Sequence, residues 1–594
     1  MSIELDIART SFPSGLSLVE ASAGTGKTFN LSLGVVRMLL ERDGQGAPRV
    51  DGIGAILVVT FTNAATDELV SRIRRFVQIA YRLSCDERVD ESKGTVDALR
   101  PLVHADTVWA QERLGRALSE MDNLAVFTIH GFCKRVLDEF ALESGTLFQV
   151  DLLQDESSLR QSAVHDWWRR TFYRDERFAT QQTEGKPEHY AKLIKQAAAW
   201  PDATVEPALS MEQFEATAYA IAQEFGAAWT TSAFRTLAST LKWNASATIA
   251  TASEIASTDQ MVADMAEYQA NHPDILRRVI PRVAKYSADN LAKAVDKRGK
   301  AGPLAEAEVR GLDIARIGDR AKHLEDHRSI LLQRVCLHEV NAAIAAAKQA
   351  RQALGFNDLL SQLSTAISAQ GPDGLLATAV RRRYAAALID EFQDTDDQQF
   401  RIFSIIFRER PLVLIGDPKQ AIYAFRGADV HAYLRATREV PESQRFTLTK
   451  NWRSVPAVVE AVNRLFMRRT HPLSDRGIIY PQAEAAQKSA SVHPPLKGTH
   501  GLEWVWVDPG VDEKTGEPTW YAKGAATKQA LQFCVSQILD LLRAGWSPGQ
   551  IAILVREGHE GIAVEKLLRA HNVPAIVSGM GNVLQSDELA EVDL

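Results

Sequence analysis

The sequence predicts an α/β protein with a parallel sheet, a glycine-rich loop after its first strand and a large helical insertion. Three observations carry this expectation. Short runs rich in Val, Ile and Leu occur at Leu16–Glu20, Ile56–Thr60, Ala387–Asp390, Leu412–Gly416 and Ile551–Val555. They have the length and composition of strands buried on both faces. The first runs directly into Ala21-Ser22-Ala23-Gly24-Thr25-Gly26-Lys27-Thr28, which opens a helical pattern with Phe29, Leu33, Val36 and Leu40 on one face. The stretch from about 146 to 354 reads differently: it is rich in Ala, Gln, Glu, Arg and Trp, and LHEVNAAIAAAKQARQAL (Leu337–Leu354) is strongly helix-forming. The expected division is therefore 1–145 and 355–440 for one α/β unit, 146–354 for the insertion, and 441–594 for a second α/β unit. Trp504–Val507 is expected to add a further strand, and Pro472–Thr499 to be a connection within the second unit.

Strand, glycine-rich loop and helix in succession make an anion site. Backbone N–H groups converge on phosphate oxygens, and the helix N-terminus adds a favourable dipole. Gly24 and Gly26 let the backbone approach closely, Lys27 would neutralise the β- and γ-phosphates, and the Thr28 hydroxyl would hold Mg²⁺. The consensus G-x-x-x-x-G-K-[ST] is departed from at its first position, Ala21. Such a site needs a carboxylate to hold the metal ion through water, and Asp390 stands at a strand end where it can. Its neighbour Glu391 can orient or deprotonate the attacking water. The bland alternative is an acidic loop that caps the next helix.

Composition sets outer limits. The 594 residues imply roughly three or four domains. At 45% hydrophobic and 24% charged the chain is ordinary for a globular protein. Cys85, Cys133, Cys336 and Cys534 are isolated, so neither a zinc ribbon nor a disulfide framework is expected. A net charge of −7 argues against a protein that coats nucleic acid by bulk charge, but not against a motor with one basic track. No apolar run reaches the ~20 residues that span a bilayer. The N-terminus lacks the pattern of a secretory signal. A cytoplasmic protein without a membrane partner is expected.

Seven segments then fall in a telling order. They are ASAGTGKT (Ala21–Thr28), TFTNAATDEL (Thr60–Leu69), FTIHGFCKRVL (Phe127–Leu137), GFNDLL (Gly355–Leu360), DEFQDT (Asp390–Thr395), GDPKQAIYAFRGAD (Gly416–Asp429) and NWRS (Asn451–Ser454). This set resembles the motifs of the UvrD-like superfamily 1 DNA helicases, in particular their RecB-type branch. The resemblance implies two RecA-like domains, of the P-loop NTPase class, with ATP and Mg²⁺ between them. It implies that Gln420 senses the γ-phosphate and that Arg453 reaches it as an arginine finger, although a surface salt bridge is the alternative for Arg453.

The resemblance further implies contacts to single-stranded DNA from Phe61, Thr62, Asn63, His130, Phe132, Tyr423, Phe425 and Arg426. Aromatic faces stack bases and hydroxyl or amide groups hold phosphates. Core packing is the alternative for Phe61 and Phe132, and a structural role for His130. The basic stretch from Arg277 to Lys300 could grip duplex DNA or be a solvated helix face. The implied activity is ATP-driven 3′→5′ translocation and unwinding at duplex DNA ends in double-strand-break repair, with RecC-like and RecD-like partners.

Two features depart from the pattern. No adenine-recognition motif precedes Ala21. The chain also ends before the positions of motifs V and VI and of the RecB-type nuclease, so the second RecA-like domain is expected to be incomplete and nuclease activity absent. A DNA-binding, ATP-binding remnant without turnover is the alternative. An ABC or AAA+ ATPase is disfavoured by the lack of an LSGGQ-like signature.

Overall fold

The computed structural model describes residues 3–578 apart from 146–150, 154, 175–185, 199–210, 245, 271, 296–301, 424–428, 474–476, 487–500, 508–509 and 512–514. Strands in chain order are β1 (Ile3–Glu4), β2 (Gly15–Ala21), β3 (Ile56–Thr60), β4 (Ala125–Thr128), β5 (Asp151–Leu153), β6 (Ala353–Gly355), β7 (Ala386–Ile389), β8 (Pro411–Gly416), β9 (Arg445–Leu448), β10 (Lys450–Asn451), β11 (Glu484–Ala485), β12 (Gly510–Val511) and β13 (Pro518–Thr519). Seven of them form one sheet in the order β1-β9-β2-β8-β7-β3-β4. Every neighbouring pair in it is parallel.

The near-continuous apolar runs follow from this topology. Helices cover both faces, so residues of both parities are buried. Leu18, Leu57, Val59, Ile389, Leu412 and Leu414 enter one core with the helices Ile129–Glu139, Phe356–Gln370 and Asp397–Ile406. Val19, Ile56, Val58, Leu388, Val413 and Ile415 enter the other, with Lys27–Leu40 and Asn63–Ser84. The sheet continues past residue 440, the expected end of this unit. Strand β9 sends Phe446 into the second of these cores, edge-on to Phe12 at 5.8 Å.

The insertion is helical. Its longest helix, Asp313–Ala350, is long and apolar enough in one stretch to cross a membrane by length and composition. Here it runs the length of the insertion, burying Ile314, Ile317 and Ala321 in one cluster and Leu332, Cys336 and Val340 in another. Ile275–Val279 forms a π-turn just before Pro281. Proline has no N–H for the i→i−4 ladder, so the helix widens there. Four cations of the described part of the basic stretch share two carboxylates. Arg277 and Arg278 pair with Asp274, and Arg282 and Lys285 with Glu254.

The insertion joins the α/β unit through a narrow neck, the parallel pair β5–β6. Lys348 Nζ lies there 2.7 Å from both Glu156 Oε1 and Asp358 Oδ2. Asp358 also accepts the Gly355 N–H at 2.7 Å, capping the helix that carries GFNDLL.

Two expected strands are not formed. Ile551–Val555 and Trp504–Val507 have no ladder partner among the described residues. Leu554 and Trp506 are 97% and 82% exposed. A strand needs a neighbour to accept its backbone hydrogen bonds, and apolar composition alone cannot provide one. In this region Lys523–Arg543 packs on Gly558–Ala570 through Val535, Ile538, Val564 and Leu568.

At the neck, Asp358→Ala removes a cap and one arm of a largely buried ion triad. We expect a loss of about 1–3 kcal/mol in thermal or urea unfolding, with Asp358→Asn costing less because it keeps an acceptor. Unchanged unfolding of Asp358→Ala would show that the neck does not depend on the triad.

Candidate nucleotide site and nucleic-acid track

A parallel sheet brings the C-terminal ends of its strands to one edge. The phosphate loop follows β2, Phe61–Asn63 follow β3, His130 follows β4, Asp390–Asp394 follow β7, Asp417–Gln420 follow β8, and NWRS follows β9. Residues 21, 61, 130, 390, 417 and 451, dispersed in sequence, therefore border one edge.

The loop is built by its glycines. Gly24 and Gly26 have φ of 77° and 87°, the left-handed region open to glycine without strain. The Ser22 carbonyl accepts from Thr25 N at 3.2 Å and Thr25 Oγ1 at 2.7 Å, closing the turn. Gly26 precedes the helix Lys27–Leu40, whose first residue is the loop lysine. Lys27 Nζ donates to Glu391 Oε2 at 2.5 Å. The loop and the acidic strand end thus face one another.

Asp390 is buried, its N–H bonded to the Val59 carbonyl at 2.8 Å and its Oδ1 accepting from Glu391 N at 3.0 Å. Burial raises its pKa to about 6, with Glu391 adding repulsion and Lys27 opposing it. Asp394 is also raised to about 6, by burial and then by Glu391. Glu391 itself sits at φ 51°, a left-handed conformation rare for a residue with a β-carbon.

A hydrogen-bonded chain leads onward from Glu391. Gln393 Nε2 donates to Glu391 Oε2 at 2.7 Å, and Gln393 Oε1 accepts the Asp417 N–H at 2.9 Å. Gln420 Nε2 donates to Asp417 Oδ2 at 2.6 Å. Gln393 is 2% exposed, and its amide bridges the acidic segment to the segment bearing Gln420. Nothing in the sequence singles out Gln393. A glutamine inside an acidic motif carries no mark of burial, and only the parallel neighbours β7 and β8 bring it to Asp417.

Arg453 meets the loop from the other side. A β-carbon placed on Gly24 would lie 2.8 Å from Arg453 Cβ. Trp452 N donates to the Gly24 carbonyl at 2.8 Å while the residue as a whole is 61% exposed.

The proposed DNA contacts divide. Phe61 and Tyr423 meet with ring centroids 5.3 Å apart. Thr62 and Asn63 are exposed at the start of the helix Asn63–Ser84, where Thr62 Oγ1 caps Ala65 N at 3.2 Å. His130 is edge-on to Phe356 at 5.6 Å, and burial lowers its pKa, favouring the neutral ring. Phe425 and Arg426 lie outside the described residues.

Phe132 must be withdrawn from the track. It is 0% exposed and stacks on Phe403 at 5.3 Å. With Ile129, Cys133 and Val136 it forms the inward stripe of its helix, so it cannot meet a ligand. Phe356 is the exposed aromatic nearby. It is 41% exposed at the head of its helix, beside His130. In the sequence it stands within GFNDLL, where nothing marks it as exposed.

The raised carboxyls give a prediction with a definite sign. Between the ordinary aspartate value of 3.8 and about 6, folded Asp390 holds a proton that the unfolded chain has released. Stability of the metal-free protein should therefore fall as pH rises through that window. Asp390→Asn should flatten this limb in unfolding measured from pH 4 to 7. A wild-type and variant dependence that coincide would contradict the assignment.

Comparison with known proteins agrees with this geometry. Residues 4–441 match the UvrD/REP helicase N-terminal domain. The chain is 32% identical to the RecBCD enzyme subunit RecB of Escherichia coli K12, over 99% of this chain and 50% of that protein. It is 29% identical to the same subunit of Haemophilus influenzae, over 97% and 50%. For Mycobacterium tuberculosis the identity is 28%, over 76% and 30%. The chain thus spans about half the length, or less, of these relatives. The extent of the domain match, with a phosphate loop and an acidic strand end facing each other on one parallel sheet, assigns the chain to the UvrD/REP helicase family.

Proposed function

We propose that this chain is the ATP-binding motor part of a RecB-like DNA helicase, moving 3′→5′ on single-stranded DNA and acting at duplex ends in recombinational double-strand-break repair. The observation that carries the reading is the meeting of Lys27, Glu391 and the NWRS segment at one sheet edge, beside the Phe61–Tyr423 pair. RecC-like and RecD-like subunits are its expected partners.

The donor set suits magnesium. Asp390 and Thr28 offer hard oxygens, and the buried Asp390 carboxyl lacks a cationic hydrogen-bond partner of its own among the described residues. Bound with ATP, the ion would supply neutralisation of the phosphate charge. The remaining work falls to side chains of this chain. Lys27 exchanges Glu391 for the β- and γ-phosphates. Glu391, so released, orients water and accepts its proton, while Gln393 keeps hold of its carboxylate. Gln420 and Arg453 reach the terminal phosphate as charge develops there. Trp452 offers an exposed ring to stack on the base. Because Gln393 connects Glu391 to the segment that continues to Tyr423, occupation of the DNA track bears on the group that handles water.

The test is DNA-stimulated ATP hydrolysis by this chain. Lys27→Ala should lower turnover by roughly 100-fold or more. Phe61→Ala and Tyr423→Ala should each weaken binding of an oligothymidylate by about 1–3 kcal/mol in fluorescence anisotropy. Nucleotide binding without turnover would replace the motor with a binding module. Hydrolysis indifferent to Lys27 would overturn the site.

A further inference from the structure

The NWRS segment does more than bring an arginine close to the phosphate loop: it is bonded to the loop's backbone. Asn451 Nδ2 donates to the Ala23 carbonyl at 2.9 Å. The next residue, Trp452, donates its N–H to the Gly24 carbonyl at 2.8 Å. Two consecutive loop peptides are thus held by two consecutive residues of a segment more than 400 positions away in sequence. The other end of the same amide faces Arg453. Asn451 Oδ1 accepts the N–H of Arg453 at 2.9 Å and that of Ser454 at 2.8 Å.

The side chain is well placed to keep this geometry. Asn451 is 9% exposed, and its backbone lies in β10, paired with β11. Ala486 N donates to its carbonyl at 2.8 Å. The largely buried amide has its donor and acceptor ends used for different partners, so turning it over would break all three bonds at once. The contact also explains Gly24 independently of phosphate. A β-carbon there would stand 2.8 Å from Arg453 Cβ and 2.9 Å from both side-chain polar atoms of Asn451. Only glycine admits so close an approach.

A trans peptide directs its C=O and N–H to opposite sides. By holding the Ala23 carbonyl, Asn451 turns the Gly24 N–H away from itself. The same side chain fixes the backbone from which Arg453 projects. We propose that Asn451 is a positioning residue that ties Arg453 to the phosphate loop, so that the backbone holding a nucleoside triphosphate also sets where the arginine meets its terminal phosphate. The inference rests on reading the loop as an ATP site.

The experiment compares affinities for ATPγS and ADP, each with Mg²⁺, in the full chain. Arg453→Ala should weaken ATPγS and spare ADP, because only the triphosphate carries the group the arginine meets. Asn451→Ala should do the same, by roughly tenfold for ATPγS and less than about twofold for ADP. The double variant should be no weaker than Arg453→Ala, since a residue acting through the arginine has nothing left to act on. Asn451→Asp keeps the acceptor for Arg453 and Ser454 and loses the donor to Ala23. It should show the same selective loss, again absent in the Arg453→Ala background, and it serves if Asn451→Ala fails to fold. An unchanged ATPγS-to-ADP ratio, an equal loss of both nucleotides, or losses that add in the double variant would each overturn the proposal. Lys27→Ala separates the two levels. Lys27-dependent binding with an unaltered ratio rejects the role of Asn451 alone, whereas wild-type chain that binds neither nucleotide rejects the ATP site and the proposal with it.

Discussion

Everything in the site depends on one constraint, the parallel direction of the seven strands. A parallel sheet sends each strand's outgoing loop to the same edge, whatever the order of strands in sequence. That is how a loop at residue 24, a carboxylate at 390 and an asparagine at 451 become neighbours. The sheet supplies rigidity as well as direction. Strands β2, β3, β7 and β8 are covered on both faces, and their apolar residues are almost wholly buried. The polar groups at their ends are therefore held by a frame that side-chain motion cannot easily shift.

At that edge the polar groups are arranged in opposition. Lys27 is bonded to Glu391, and two further carboxyls, at Asp390 and Asp394, are pushed toward protonation by burial. The same groups serve both states of the site. The lysine that is satisfied by Glu391 is the one that suits phosphate, and the strained backbone at Glu391 keeps its carboxylate facing the loop. Gln393 lets this cluster reach the segment carrying Gln420 without leaving a buried amide unpaired.

Much of this was legible in the sequence because it depends on local chemistry. The four strand runs around the site are apolar on both faces and flow into loops with Gly, Asp or Thr at set places. A glycine that needs positive φ, a lysine after it and a carboxylate at a strand end announce themselves. What could not be read depends on long-range pairing. Phe132 and Phe61 look alike in sequence, yet one lies on the inward stripe of a helix and the other stands at a strand end beside Tyr423. Ile551–Val555 has the composition of a strand but no partner beside it among the described residues. Arg282 and Lys285 belong to a basic run in sequence, and folding brings the distant Glu254 to both of them. Gln393 and Asn451 gain their significance only from partners 24 and 428 residues away.

The most direct measurement is a crystal structure of this chain with ATPγS and Mg²⁺. The account predicts the nucleotide against Gly24–Thr28, the Lys27 ammonium moved from Glu391 onto its phosphates, and the Arg453 guanidinium within hydrogen-bond reach of the terminal phosphate. An analogue seated elsewhere, or seated there with the Lys27–Glu391 bond intact, would contradict it.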